Sequence, residues 1–260
     1  MFRKLEVTEA VANGLPARAR LAPAPAGVVV MTMLIARQRG TIMVRHDNQR
    51  DERTAMELYT AGTGNGQRAA IAVNECGVAC TMHVLNLAQG DQSKPDYLKI
   101  NPTGRIPTLI DPDGPGGQPL TLIQSWAILY YLAEKTGKLF PSDPAARART
   151  YQWLGEAASD MAPTAQNIFF LGNRMPEKVP QSAIKFYEDR LVTQFRAADD
   201  QLARAPYLTG NEISVADLGL YPIYAGRKAL IDGAGLRHVT AWGERVGARP
   251  GVQKGMKLES

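Results

Sequence analysis

Residues 101–111, Asn-Pro-Thr-Gly-Arg-Ile-Pro-Thr-Leu-Ile-Asp, constrain the fold of this chain more than any other stretch. They set Ile106-Pro107 directly in front of the β-rich run Thr108-Leu109-Ile110. Proline has no amide hydrogen and cannot sit inside the ladder of a central strand. At the lip of a strand it predicts a fixed turn, one that a cis bond would suit. Such a turn leaves the backbone groups of Ile106 to bond something other than the sheet. About a dozen residues later, Leu122-Ile123-Gln124-Ser125 opens a helix.

The pattern on either side completes a unit. Glu57-Leu58-Tyr59 reads as a short strand, with the alternation starting at Met56, and Ala61 to Gly66 as a glycine-rich turn. Gln67 to Glu75 is predicted helical, stopped near Gly77, and Thr81 to Leu87 alternates as a second strand. A polar loop carrying Gln92 follows, then a helical turn at Tyr97 to Ile100. Thr108-Leu-Ile and Leu120-Thr-Leu form a hairpin around the turn-rich Asp111 to Gly117. Ser125 to Lys135 is a helix, capped by Ser125 and ended at Gly137. The order βαβ then ββα predicts a thioredoxin-like α/β domain over residues 56–137, with a right-handed parallel crossover followed by an antiparallel hairpin.

Pro141 to Ala145 is a linker signal, and residues 147–252 read as an all-helical second domain. Its sharpest marker is Ser214-Val-Ala-Asp217. A serine N-cap and an acid three residues on satisfy each other's exposed amides, and Ile213 can staple onto Leu218. That helix is expected at the centre of the second domain, kinked by Pro222.

Charge narrows the partners. The net charge of +5 is uneven: residues 1–55 hold nine Lys/Arg against five Asp/Glu, while residues 56–260 hold 21 against 20. The body is nearly neutral and lacks the concentrated basic face of a nucleic-acid binder. The leader, 1–55, contains the linker-like Ala22 to Gly27 and a ten-residue apolar run from Gly27 to Ala36, too short to span a bilayer as a helix. Arg37-Gln38-Arg39 follows where a signal peptide would offer small residues for cleavage. The leader is therefore read as a poorly structured extension or an upstream start choice, with Met56 the effective start of the fold. The two cysteines, Cys76 and Cys80, make no disulfide framework and suit a cytoplasmic setting. Their CxxxC spacing reads as one packed cysteine at a helix end and one near a strand start. His46, His83 and His238 show no metal-ligand spacing.

Taken in this order, Ile106-Pro107, Gln124-Ser125 and the Ser214/Asp217 capping box resemble the cytosolic glutathione transferase family over residues 56–250. The resemblance implies the glutathione transferase fold, glutathione as co-substrate, and a homodimer with no nucleic-acid or membrane partner. Thr63-Gly64-Asn65-Gly66 is closest to the Thr-x-Asn-Gly of the bacterial Nu class, which is disulfide-bond reductase-like. By that resemblance Thr63 and Asn65 are the catalytic pair that donates to the glutathione sulfur. Ile106, presented by Pro107, pairs with the cysteinyl backbone, and Gln124 and Ser125 hold the γ-glutamyl end. Gln92 and Asn65 also contact glutathione. Arg105, read on its own residue type, either steers the glycine carboxylate or is a solvated surface arginine. Gln124 stands where the class usually has Glu. The class also carries an arginine in the long helix of the second domain, where the closest register gives Thr193, with Lys185, Arg190 or Arg196 as the nearby bases.

Each assignment has a plainer counterpart. Thr and Asn favour turns and caps on their own account, and Ser125 can simply cap its helix. Tyr59 is a rival hydroxyl whose place inside a strand favours packing. Phe169, Phe170 and Tyr224 are candidates for an apolar acceptor pocket, although helical aromatics are more often core. The expected function is a glutathione-dependent transferase or disulfide-bond oxidoreductase. The competing readings are a non-catalytic binding or assembly module on the same fold, and a plain thioredoxin-like oxidoreductase, which the absent CxxC disfavours.

Overall fold

The structure, a computed structural model, describes residues 55–258 and the strand backbones 34–38 and 41–45. The chain divides into two units, Met1–Arg50 and Asp51–Ser260. In the first, β1 (Leu34–Gln38) pairs antiparallel with β2 (Thr41–Arg45), Leu34 opposite Arg45 and Gln38 opposite Thr41. The leader's composition did not predict this pairing. The rest of the extension expected there, His46 included, lies outside the described residues.

The second unit begins at β3 (Met56–Thr60), where alternation puts Met56, Leu58 and Thr60 inside and leaves Glu57 and Tyr59 half-buried. Then come α1 (Gly64–Cys76), β4 (Cys80–Val84), α2 (Pro95–Ile100), β5 (Thr108–Asp111), β6 (Leu120–Ile123) and α3 (Ser125–Thr136). The sheet order is β4-β3-β5-β6, with β4 parallel to β3 and the other two pairings antiparallel. This is the thioredoxin-like arrangement anticipated from the sequence. Gly77 and Gly137 end α1 and α3 in the left-handed conformation, a backbone that glycine adopts without steric cost. The cysteines take the plain roles: Cys76 is buried at the end of α1 and Cys80 opens β4.

The helical half comprises α4 (Pro144–Gly155), a wide π turn at Glu156–Met161, α5 (Ala162–Asn173), α6 (Gln181–Leu202), α7 (Val215–Ala225), α8 (Lys228–Gly233), α9 (Arg237–Gly247) and α10 (Pro250–Met256). The capping box forms as expected. Ser214 Oγ accepts from the Ala216 amide at 3.2 Å, and Asp217 accepts from the Ser214 amide at 2.9 Å. Helix α7 continues through Pro222 and is buried almost throughout.

Helix α1 joins the halves. Its run Ala69-Ala-Ile-Ala-Val73 is buried because α3, α7 and α10 all pack on it. Small residues permit close approach, and Gly255 of α10 takes this furthest. A Cβ there would lie 2.5 Å from the Ile71 amide nitrogen and 2.6 Å from its Cα. Backbone cannot yield as a flexible side chain can. Gly255→Ala should therefore destabilise by a net ~2 kcal/mol, overpacking outweighing the gain in helix propensity. Thermal denaturation should show a melting temperature lower by about 6 °C; an unchanged or higher value would contradict this packing.

Candidate functional site

Thr63 is the N-cap of α1 in extended conformation, its Oγ1 accepting from the Gly66 amide at 3.3 Å. Capping uses an acceptor lone pair and leaves the hydroxyl proton free to donate elsewhere. Thr63, Gly64 and Asn65 are exposed, while Gly66 is buried. A Cβ on Gly66 would stand 2.0 Å from the Ala61 carbonyl oxygen, so the entry from strand to helix requires glycine. The first turn of α1 thus presents a hydroxyl, an amide side chain, unpaired backbone N–H groups and the positive end of the helix dipole to solvent.

Directly below lies a residue that sequence reading passed over. Arg68 is 1% exposed. Its Nη1 donates to Asn65 Oδ1 at 2.7 Å and to Ser125 Oγ at 2.9 Å, and its Nε donates to the Gly219 carbonyl at 2.9 Å. The guanidinium carbon lies 3.9 Å from the centroid of the Trp126 ring. Burial pushes its pKa down to about 9, which leaves it charged at neutral pH. The only sequence signal was its place: a charge leading into the apolar run 69–73, three residues after Asn65.

Ser125 is buried at the start of α3, and its hydroxyl lies 3.4 Å from Asn65 Oδ1. The structure corrects its expected capping role. Gln124 occupies the N-cap position, and among the described residues the Ser125 hydroxyl bonds Arg68 and Asn65 instead of an α3 amide. Gln124 is exposed and has φ 76° and ψ 118°, a region that non-glycine residues occupy at a cost. This matches the backbone strain that collects at ligand sites.

The Ile106-Pro107 bond is cis. The turn is fixed from behind: Tyr97 Oη donates to the Arg105 carbonyl at 2.5 Å, and Asn101 Nδ2 donates to the same oxygen at 2.7 Å. Asn101 Nδ2 also reaches Thr108 Oγ1 at 3.0 Å. Pro107 is buried, Ile106 half-buried and Arg105 exposed. No hydrogen bond among the described residues engages the Ile106 amide or carbonyl. Gln92 borders this loop, its carbonyl 3.3 Å from where a Gly104 Cβ would stand. Its side-chain Oε1 is buried without a partner among the described residues, an acceptor that ordinarily finds a donor.

The other candidates disperse. The Tyr59 hydroxyl donates to Glu57 at 3.0 Å and its ring stacks on His83, whose Nε2 is 3.0 Å from the same carboxylate. Tyr224 is a core residue, its hydroxyl donating to Asp232 at 2.9 Å, while Phe169 and Phe170 are exposed on α5. These three do not form one apolar lining. On α6, Lys185 pairs with Asp189 on its own helix, and Arg190 lies 3.8 Å from Asp160. Thr193 bonds the Asp189 carbonyl. Among the described residues no group of His, Cys, Asp and Glu is arranged to hold a metal ion, and no helix is long and apolar enough to cross a membrane.

This geometry has relatives. Residues 65–135 match the glutathione S-transferase N-terminal domain and residues 160–257 the C-terminal domain. The chain is 32% identical over 197 residues to the disulfide-bond oxidoreductase YfcG of Escherichia coli, covering 75% of this chain and 91% of that one. A glutathione transferase family member from Pseudomonas fluorescens, crystallised with two glutathione bound, superposes with a TM-score of 0.73 at 28% identity, over 81% of this chain and 96% of that one. A Pseudomonas putida glutathione transferase with one glutathione disulfide per subunit gives 0.71 at 30% identity, over 82% and 95%. Sequence, fold and family models agree, and the chain belongs to the glutathione S-transferase family.

Proposed function

We propose that the protein binds glutathione across the N-terminal ends of α1 and α3 and holds its sulfur as a thiolate for attack on a disulfide or another electrophile. The observation that carries this reading is the convergence of Asn65 and Ser125 on one buried guanidinium. It joins the segment suited to the sulfur to the segment suited to the γ-glutamyl end. The glutathione thiol resembles free cysteine, with a pKa near ~8.5, so little is ionised at pH 7. Lowering it by one to two units requires about 1.4–2.7 kcal/mol of preference for the thiolate. Donation from Thr63 and Asn65, two charge-assisted hydrogen bonds beside a helix N-terminus, is of that size. Ile106 offers its unpaired backbone to the cysteinyl unit, Gln124 and Ser125 take the γ-glutamyl end, and Gln92 and Arg105 flank the rest.

With a disulfide the thiolate attacks one sulfur. A glutathione–substrate disulfide forms as the original S–S bond breaks, and the departing sulfur leaves as a thiolate that takes a proton. A second glutathione thiolate resolves the mixed disulfide, giving glutathione disulfide and a second substrate thiol. Residues 62–66 contain no cysteine, so both sulfurs of the oxidised product come from glutathione. The disulfide side is favoured by the name of the Escherichia coli relative and by the glutathione disulfide in the Pseudomonas putida structure. A cytoplasmic homodimer completes the proposal, supported by the family resemblance and the cysteine usage.

The test is turnover of 2-hydroxyethyl disulfide and of a model aryl halide, each with glutathione, run beside calorimetric titration with glutathione. Faster disulfide turnover is the expected result. Absence of any glutathione binding would sink the enzyme reading and leave the non-catalytic module.

A further inference from the structure

We propose that Arg68 is a positioning residue that turns Asn65 and Ser125 into hydrogen-bond donors for an anionic ligand. The inference rests on the glutathione-site reading above and concerns what sets that site's polarity.

Its starting point is a buried cation whose described contacts include no carboxylate. The guanidinium is bonded to a carbonyl, an amide oxygen and a hydroxyl, and it stacks on an indole. Burying an uncompensated charge is costly, and an apolar residue packed in its place commonly serves stability as well or better. The arrangement has another consequence. A guanidinium has five N–H donors and no acceptor. The Asn65 atom facing it at 2.7 Å must therefore be the amide oxygen, so the amide's NH2 group is the part left to face outward. By the same logic the Ser125 hydroxyl accepts from Arg68, and its single proton is directed elsewhere. Among the described residues that proton goes to Asn65 Oδ1 at 3.4 Å, a long contact that a ligand oxygen could replace. Without Arg68, Asn65 could turn its oxygen toward the ligand and Ser125 could point its lone pairs there. With Arg68 present, both ends of the site offer donors. The Nε bond to Gly219 on α7 fixes the fork, so both orientations depend on how the helical half is seated.

The fork shape matters as well as the charge. In Arg68→Lys the cation is retained, but a single ammonium cannot reproduce the fork that serves Asn65, Ser125 and Gly219 together. The bound glutathione thiol, titrated through its thiolate ultraviolet absorbance, should then rise by about one pKa unit, and KM for glutathione should rise about tenfold. The complementary variant is Asn65→Asp, which gives Arg68 a carboxylate partner and removes the outward amide. Its melting temperature should rise by about 3 °C, while the bound thiol pKa moves up toward that of free glutathione. A purely structural Arg68 would not couple a gain in stability to the loss of the thiolate.

Wild-type protein is the control that separates this inference from the reading it rests on. Failure of the wild type to bind glutathione would overturn both. Wild-type binding with a depressed thiol pKa, together with an unaltered thiol pKa and KM in Arg68→Lys, would overturn the role of Arg68 alone. If Asn65→Asp keeps the wild-type thiol pKa, Asn65 is not a donor to the sulfur, and both its catalytic role and the orientation ascribed to Arg68 are overturned.

Discussion

Asp217→Ala is expected to leave the protein largely unfolded at 37 °C. The carboxylate is fully buried and accepts four hydrogen bonds: from the Leu208 amide at 2.9 Å, the Ser214 amide at 2.9 Å, the Ser214 hydroxyl at 3.0 Å and Trp242 Nε1 at 2.9 Å. Burial pushes its pKa up from the ordinary value, against the pull of those donors. Truncation strands two backbone amides and an indole N–H where water does not reach. Each stranded donor costs about 1–3 kcal/mol, so the three together cost about 3–9 kcal/mol. That is a large share of the roughly 5–15 kcal/mol that holds a typical domain together. Asp217→Asn keeps the shape and one oxygen and should fall between Asp217→Ala and wild type. Thermal denaturation of the three proteins decides the matter: a melting temperature for Asp217→Ala within a few degrees of wild type would mean that these bonds are dispensable.

The second large effect is on chemistry. Thr63→Ala and Asn65→Ala should each raise the pKa of the bound glutathione thiol by about one unit, from ~6.5 to ~7.5, reducing the thiolate fraction at pH 7 about threefold. Together they should bring the thiol close to its value in solution. The sign of the pH dependence follows. Wild-type activity should level off once pH exceeds the depressed thiol pKa, whereas the variants should keep gaining activity at higher pH and partly recover. A pH–rate profile of kcat/KM for disulfide turnover measures this. Full activity of both single variants at pH 7 would remove Thr63 and Asn65 from the catalytic role. Both residues are exposed, but Thr63 caps α1 and Asn65 accepts from the buried Arg68, so thermal denaturation of each variant runs beside the profile to separate lost folding from lost chemistry.

Local rules made much of this fold legible before any coordinates. Alternation located β3, periodicity and the stop at Gly77 located α1, and turn residues located the β5–β6 hairpin. Ser214 and Asp217 are three residues apart, so their box could be read directly. The Ile106-Pro107 turn was equally local. Arg68 was not: its bonds to Ser125 and Gly219 span 57 and 151 residues, a distance that no helical period or cap rule encodes. Ser125 misled for the same reason. A serine at a helix start reads as a cap, and only the approach of α1 diverts its hydroxyl to a guanidinium. Tyr224 resembled a pocket aromatic in sequence, but the packing of α7 against α9 and α6 puts it in the core beside Trp242 and Phe195.

The seating of α1 also bears on how proteins of this design can diverge. The helix that presents Thr63 and Asn65 is enclosed by α3, α7 and α10, with glycine-to-backbone contact on one side. A mutation that shifted it by an ångström would have to repack both halves of the molecule at once. Arg105 and Gln124, in contrast, are exposed. Selection can therefore alter these rim positions one residue at a time. The position of the turn that carries Thr63 and Asn65 is inherited as part of the core, and drifts only as fast as the core does.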